Sequence, residues 1–446
     1  MAHPLLTAPI GPSLLKLAGP TTLVMVAQTA VSIAETYFIG QLGTDALAGF
    51  ALVFPLMMLM TMMAAGGMGG GTAAAMARAL GAGRRDDAAA LVTHALIVGA
   101  GFAALFTLGA WVFGESLYRL LGGRDGALAE AMLFSNVLFA GAVASWANFI
   151  LSALLRGAGD AATPGRYMLL SSLAQVPLSG LLILGVGGWH GFGIAGAALS
   201  WIATSAVSAL LQARALWGGK LGFVPTLSAR LERRLFWDIL RVGLIASLSA
   251  LTANLTAMLV TGFVGRFGVA ALAGYGIGVR LEFMLVPLAF GVGSALTTLV
   301  GVAAGANDWQ RAVRAAWIGG VAAGGTIGVL GWIVAVLPAE WARLFSRDPE
   351  VIAAAVHYIT RVAPFFCLFG LGLTLSFASQ GAGRMAAPMI AGLARMAVAT
   401  VGAWVAVDVL GWGLPGVFVA VAAGMIVFGT CIAGPLAVRP WRARKA

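Results

Sequence analysis

The stretch SIAETYFIGQLG, residues 32–43, places Glu35 directly behind GPTTLVMVAQTAVSIA, a run that carries no other charge. A carboxyl group in such a run is costly in hydrocarbon, usually faces a bundle interior, and is a functional-site candidate by default. Desolvation favours the neutral acid over the carboxylate, which suits the group to exchanging a proton. The competing reading is a snorkelling or interhelical hydrogen-bonding role, because Gly40 lies about five residues on, roughly 7 to 8 Å of helix rise. A glutamate is short and would have to pass Tyr37 and Phe38 to reach water, so proton exchange is the favoured reading.

A second pair of charges falls in YGIGVRLEFMLVP, where Arg280 and Glu282 sit about a third of the way into another apolar run. Two residues apart, they do not share a helix face. Each therefore needs a partner elsewhere, and Asn254 or Thr256 on the preceding run are the candidates for Glu282. Two readings stay open here: a structural charge network, and a part in coupling or substrate binding. Arg361 and Arg395 lie nearer the ends of their runs and read as side chains that snorkel to the interface. His94 and His357 also fall near run ends, the four histidines form no ligand-like cluster, and no metal site or cofactor is expected. HExxH, paired intramembrane aspartates, GxSxG and Cys-His pairs are not found, which argues against an enzyme. Cys367 and Cys431 read as buried free thiols.

The elements that position these residues are dictated by solvent. A chain of 446 residues that is 60% hydrophobic and only 10% charged cannot present a polar surface on all sides, and reads as an integral membrane protein. A spanning helix needs roughly 20 mostly apolar residues. Twelve runs qualify, near 15–40, 45–79, 88–114, 127–155, 163–188, 193–217, 235–264, 269–304, 312–338, 350–379, 386–410 and 414–438. The fold class expected is all-α, with twelve transmembrane helices and no large soluble domain. The lead-in with Lys16 reads as interfacial, and the first run is too long for a cleaved signal peptide.

The net charge of +11 could suggest nucleic acid, but the basic residues segregate to one side. With a cytoplasmic N-terminus, the inner segments hold Lys16, Arg78, Arg84, Arg85, Arg156, Arg166, Arg214, Lys220, Arg230, Arg233, Arg234, Arg241, Arg311, Arg314, Arg384, Arg439, Arg442, Arg444 and Lys445. The outer segments hold Arg119, Arg124, Arg266, Arg343 and Arg347. This is the positive-inside pattern, so orientation explains the charge and no nucleic-acid partner is needed. Both termini are expected to be cytoplasmic, with the chain in the cytoplasmic (inner) membrane.

The two halves repeat one another. FIGQLGTDALAG at 38–49 and FVGRFGVAALAG at 263–274 match at seven of twelve positions, half the chain apart. RGAGDAATP at 156–164 returns as QGAGRMAAP at 380–388, and GAGRRDDA at 81–88 as GANDWQRA at 305–312, in the same register to within one position. Three segments in one register imply a duplicated six-helix unit, and an even number of spans makes the repeat parallel, about an axis along the membrane normal. The expected organisation is an N-terminal bundle over 1–217, a cytoplasmic linker over 218–234 and a C-terminal bundle over 235–446.

The Gly-x-x-Gly-x-x-Ala-Leu-Ala turn after the first helix, its copy after the seventh and the paired GAG-x-x-x-x-P loops resemble the multidrug and toxic compound extrusion (MATE) family over nearly the whole chain. The resemblance implies two bundles around a V-shaped central cavity, and an antiporter exporting cationic or amphipathic compounds in exchange for protons or sodium. It also implies a role for Glu35, since the family characteristically has a cation-binding aspartate three residues before the F-x-G turn. Many members carry a second acid on the fifth helix, one turn beyond an asparagine. QVPLSGLLILG places Gln175 at the asparagine position and Ser179 at the acid position, so the second acid is missing. A hard cation wants several oxygen ligands, anionic ones above all, whereas a proton needs one basic oxygen, so proton coupling is favoured over sodium. Gln175, Ser179 and Ser200 on the following helix are candidates to hydrogen-bond Glu35, or are ordinary interhelical polar contacts. R-x-E segments like that of Arg280 and Glu282 recur in the family.

The second helix concentrates methionines in PLMMLMTMMAAGGMGGG, where Met57, Met60 and Met63 could line an adaptable cavity or simply fill the helix. The glycines that follow allow close helix approach or flexing. Pro20, fifteen residues before Glu35, leaves a backbone carbonyl without its helical partner and makes the first helix a hinge candidate. The expected partners are small organic molecules and the lipid bilayer, with the chain working as a monomer. The alternative function is a flippase for a lipid-linked oligosaccharide or other lipid cargo. A pyrophosphate cargo would want several cavity cations, and Arg280 is the one placed clearly inside an apolar run.

Overall fold

The computed structural model describes residues 3–219, 221–226 and 230–442. Lys220, Arg444 and Lys445 of the inner basic set lie outside the described residues, as do positions 227–229 of the expected linker.

In hydrocarbon every backbone N–H and C=O must be paired within its own segment, which leaves helices as the economical solution. Helix α1 covers Ile10–Gly40. Helix α2, Thr44–Met62, continues through a π-helical stretch, Met63–Met68, into α3, Gly69–Gly81. Then come α4 (Arg85–Leu120), α5 (Asp125–Ala140), α6 (Ala142–Gly157), α7 (Ala162–Leu184) and α8 (Ile194–Trp217). The second half holds α9 (Arg233–Gly265), α10 (Val269–Gly305), α11 (Trp309–Val336), the short α12 (Pro338–Arg343), α13 (Pro349–Val362), α14 (Phe366–Gly381), α15 (Ala386–Trp404) and α16 (Gly413–Val438). Among the described residues eleven helices are long and apolar enough to cross a membrane, and twelve if α5 and α6, bent by 49° about Gly141, count as one broken span. Their outer faces are apolar and exposed, as with Leu105, Leu108, Val112 and Phe113 of α4, which is the pattern of a surface made for lipid.

The repeat seen in the sequence is a repeat of turn geometry. Gly43 and Gly268, which open α2 and α10, have φ/ψ of 118°/178° and 96°/177°. Both φ values are left-handed and favour glycine. The loops after α3 and α10 end in the same way. Arg84 N–H bonds Ala79 O and Gly83 N–H bonds Leu80 O, while Asp308 N–H bonds Ala303 O and Asn307 N–H bonds Ala304 O. This is the Schellman closure, with Gly83 at φ 74° and Asn307 at φ 61°. Gly159 and Gly383 close α6 and α14 with the same bond pair.

The chain divides into two compact units, Gly19–Leu244, and Met1–Ala18 with Ile245–Ala446. In the first, the start of α9 is clamped to α3: Arg78 pairs with Asp238 at 2.9 Å. A Cβ on Gly71 would stand 2.7 Å from Ile239 O and 2.8 Å from Gly243 N. The chain before α9 lies along α4. Arg85 donates to Gly222 O, Thr93 to Thr226 O, and Arg234 pairs with Asp87 at 2.7 Å. His94 is fully used, with Nδ1 2.8 Å from Ala90 O and Nε2 accepting the Glu232 N–H at 2.8 Å. In the second unit, Tyr275, Tyr358, Phe366 and Phe418 anchor an apolar core. Arg311 there takes the carbonyls of Leu5 and Ala8, fixing the segment that leads into α1.

Gly71→Ala puts a methyl into backbone that cannot retreat, so an overpacking cost of about 1–3 kcal/mol is expected. Gly101→Ala, where nothing lies within 4 Å, should be neutral or stabilising. Thermal melting of the two variants in detergent checks the difference, and equal melting temperatures refute it.

Candidate functional site

Glu35 sits on α1 and points into the first unit, where it is 7% exposed. Gln175 Nε2, from α7, donates to Glu35 Oε1 at 2.8 Å. Ser179 Oγ, one turn further along α7, stands 3.5 Å from the same oxygen, the outer limit of a hydrogen bond. Ser200, on α8, also faces the carboxyl, and its hydroxyl is held to Ala197 O at 2.8 Å. The structure therefore brings all four residues together across α1, α7 and α8, in a setting where Ser179 and Ser200 are wholly buried. It adds one residue that the sequence reading passed over. Thr204, one turn beyond Ser200, bonds Ser200 O at 2.8 Å and stands 3.5 Å from Gln175 Oε1. Its signal was the four-residue spacing from Ser200, which puts both hydroxyls on one face of α8.

The same positions in the second half hold no polar group. Val260, Ala399, Ala403 and Gly424 occupy the places that the repeat assigns to Glu35, Gln175, Ser179 and Ser200. All are buried, and the first three belong to the apolar core of the second unit. One scaffold thus carries a carboxyl cluster in one copy and a hydrocarbon core in the other.

Glu282, on α10, has its own partner, and it differs from those expected. The hydroxyl of Tyr358, on α13, donates to Glu282 Oε1, whereas Asn254 Nδ2 gives a hydrogen bond to Ala250 O at 2.9 Å and Thr256 Oγ1 to Thr252 O at 2.7 Å. Tyr358 is 1% exposed and lies edge-on to Tyr275 with ring centroids 5.4 Å apart. A buried tyrosine needs a partner for its hydroxyl, and the carboxylate supplies it. Arg280 is not inside an apolar core: its side chain is exposed and its guanidinium lies 5.3 Å from the Phe345 ring, just beyond α12. Arg395 departs from the snorkelling expectation, because its guanidinium stands 4.7 Å over Phe369 and 5.8 Å over Phe428. Cation–π contact holds it inside the unit. Arg361 is bound locally, to His357 one turn back.

Of the methionines, Met60 is packed inside the first unit, and Met57 and Met63 are half-buried. Met63 opens the π-helical stretch, which gives the Met/Gly segment a local break in its helical ladder. Pro20 lies within continuous α1, where it has no N–H to offer the carbonyl one turn back. Its ring rests on Gly165 of α7, at which a Cβ would meet Pro20 Cβ at 2.6 Å. Among the described residues no group of three or more His, Cys, Asp or Glu side chains is placed to hold a metal ion.

Residues 20–181 and 246–405 match the family model described as MatE, one segment in each half. The chain is 28% identical over 394 residues to a FAD transporter of Shewanella oneidensis, covering 84% of this chain and 83% of that one. It is 27% identical over 458 residues to a probable multidrug resistance protein NorM of Caulobacter vibrioides, covering 97% and 92%. A crystal structure described as MATE in the bent conformation superposes with a TM-score of 0.88 at 26% identity, covering 98% of this chain and 96% of that one.

The Tyr358–Glu282 contact predicts strong non-additivity. Tyr358→Phe and Glu282→Gln should each lower the melting temperature, and the double variant should recover a coupling of about 0.5–3 kcal/mol. Strict additivity in that cycle would show that the two groups do not interact.

Proposed function

We propose a proton-coupled export cycle for this chain, which belongs to the multidrug and toxic compound extrusion (MATE) family. It is a multi-pass membrane transporter of small molecules. The reading beyond that rests on one observation, the Glu35 carboxyl held by the Gln175 amide inside the first unit. The groups beside Glu35 are the Gln175 amide and the Ser179 and Ser200 hydroxyls, none of which brings a second negative charge. That composition suits a proton better than a hard cation.

The cycle follows from hydrogen bonding. As a carboxylate, Glu35 accepts from Gln175. Protonation adds an O–H donor that must find an acceptor, and the oxygens of Ser179, Ser200 and Gln175 are those nearby. The rearrangement moves α1 against α7, with Pro20 as the point at which α1 can bend. Protonated and cargo-bound states favour opposite conformers of the bundles 1–217 and 235–446, which is all that antiport requires. Glu282, Arg280 and Asn254, with Met57, Met60 and Met63, are the secondary candidates for coupling or for contact with cargo. The basic residues gathered at one side support cytoplasmic termini and an inner-membrane location. The cargo class proposed is cationic or amphipathic organic molecules. One observation favours a second class, anionic flavin dinucleotides: the FAD transporter among the relatives.

Uptake of a cationic dye into inverted vesicles tests the cycle under an imposed pH gradient and, separately, a sodium gradient. The pH gradient should drive uptake and the sodium gradient should not. Glu35→Gln should lower the rate about tenfold or more, within the span of typical coupling energies, while Glu35→Asp should retain transport. Competition by FAD reports the second cargo class. Full proton-driven uptake in Glu35→Gln would sink the mechanism.

A further inference from the structure

Beyond Gln175, on the side away from Glu35, the first unit contains a cavity of about 30 Å³. Gln28 of α1, Asn148 of α6, Ser171, Ser172 and Gln175 of α7, and Thr204 with Ser205 of α8 supply its polar wall. A polar space holds water once it offers about 10–15 Å³ and two to four hydrogen-bonding partners, and this one satisfies both conditions. Below it the polar groups continue. Gln212 Nε2 donates to Asn148 Oδ1 at 2.6 Å and approaches Ser208 Oγ at 3.1 Å, and the Arg156 guanidinium donates to Ser152 Oγ. Ser200, Thr204, Ser208 and Gln212 recur every four residues on α8, as Asn148, Ser152 and Arg156 do on α6, so each set forms one face. Every member of both sets is buried. Gln212 is fully buried, and its Oε1 has no hydrogen-bond partner in the described structure. Such an acceptor calls for a donor that the protein itself does not supply.

We propose that this column is a hydrated proton path between Glu35 and the end of the bundle that carries Arg156, and that the Gln175 side chain is its gate. The proposal rests on the reading of Glu35 as the proton-exchanging acid. The orientation proposed above makes the Arg156 end the cytoplasmic one. When neutral Glu35 loses its proton, the O–H bond breaks and a cavity water accepts the proton, leaving a carboxylate that takes up the Gln175 N–H. The proton then passes between waters and the hydroxyls of Ser172, Thr204, Ser205 and Ser208, each of which can accept one proton and donate another. Amides hold water but do not relay in this way. With one face bonded to Glu35 and the other beside Thr204, Gln175 therefore separates the acid from the cavity until it swings aside. On the four helices the charged residues are Lys16, Glu35, Arg156, Arg166 and Arg214. Glu35 is the only base among them, so a proton in the column has one place to rest. Arg156 at the far end opposes the lodging of any cation there.

Proteoliposomes holding a pH-sensitive dye, with a pH gradient imposed and no cargo present, test the gate. Gln175→Ala should dissipate the gradient about five- to tenfold faster than wild type, because Glu35 then keeps its connection to the Arg156 end while the alternating cycle opens it to the other side. The Gln175→Ala/Glu35→Gln double variant should return to the wild-type rate. Decay at the wild-type rate in Gln175→Ala, or a leak that survives in the double variant, overturns the path. Dye export by Glu35→Gln is a separate measurement, and its persistence would sink the coupling reading without touching the leak assay. Should Gln175→Ala not fold, hydroxyl-radical footprinting of the wild-type protein decides. Met168 lines the cavity and Met76 is buried away from it, so Met168 should oxidise about fivefold faster. Equal oxidation of the two would rule out the water.

Discussion

A carboxyl group taken out of water must be met by the protein, and in this chain the amide of Gln175 meets it. That contact joins α1 to α7, fixes which face of α1 looks inward and places Val31 and Gln28, one and two helical turns before Glu35, on the same inward face. Satisfying one costly group inside a membrane requires further polar groups behind it. The hydroxyls of α7 and α8 accordingly gather on the same side of those helices. The rest of the first unit is arranged so that this polar seam stays interior while leucine, valine and phenylalanine face the lipid.

The duplication shows how separable scaffold and site are. Turns built on Gly43 and Gly268, or on Gly83 and Asn307, keep the same backbone in both halves. Only backbone conformation matters there, and glycine or asparagine can supply it. Side chains at the site obey no such constraint. Val260, Ala399 and Ala403 pack as hydrocarbon where their counterparts hold a buried, hydrogen-bonded carboxyl group. In the second half the acid moves to α10, and its partner Tyr358 stands where the first half has Phe134, a buried ring without a hydroxyl. Each half therefore built its polar site on different positions of a common frame.

Most of the frame was legible in the sequence, because hydrocarbon imposes a length and an apolar composition on every span. Even the least regular span, 127–155, was found by composition. Its bend at Gly141 was not, since nothing in the local sequence announces that Ile202 of α8 occupies the space a side chain there would need. Gln175 and Ser179 were readable because a family pattern aligned them with Glu35, and Ser200 because it lies on the helix that follows. The partner of Glu282 was not, because Tyr358 lies three helices further along the chain and polar-to-polar pairing across helices leaves no periodic trace. Arg395 was misplaced for a related reason: position along an apolar run says how deep a charge lies, and only the fold shows that Phe369 and Phe428 are there to receive it.

The replacement of a second carboxyl cluster by Val260, Ala399 and Ala403 bears on energetics. Were Glu35 the one coupling acid, as proposed, each turnover would exchange one proton for one cargo molecule. A cargo bearing a single positive charge is then swapped charge for charge, so the membrane voltage contributes nothing. The limit on its accumulation is about tenfold for each pH unit across the bilayer, or about 1.4 kcal/mol. A neutral cargo leaves one charge uncompensated in each cycle and adds about 2.3 kcal/mol for every 100 mV. The charge state of the molecule carried, rather than its affinity, would decide which component of the proton gradient this protein draws upon.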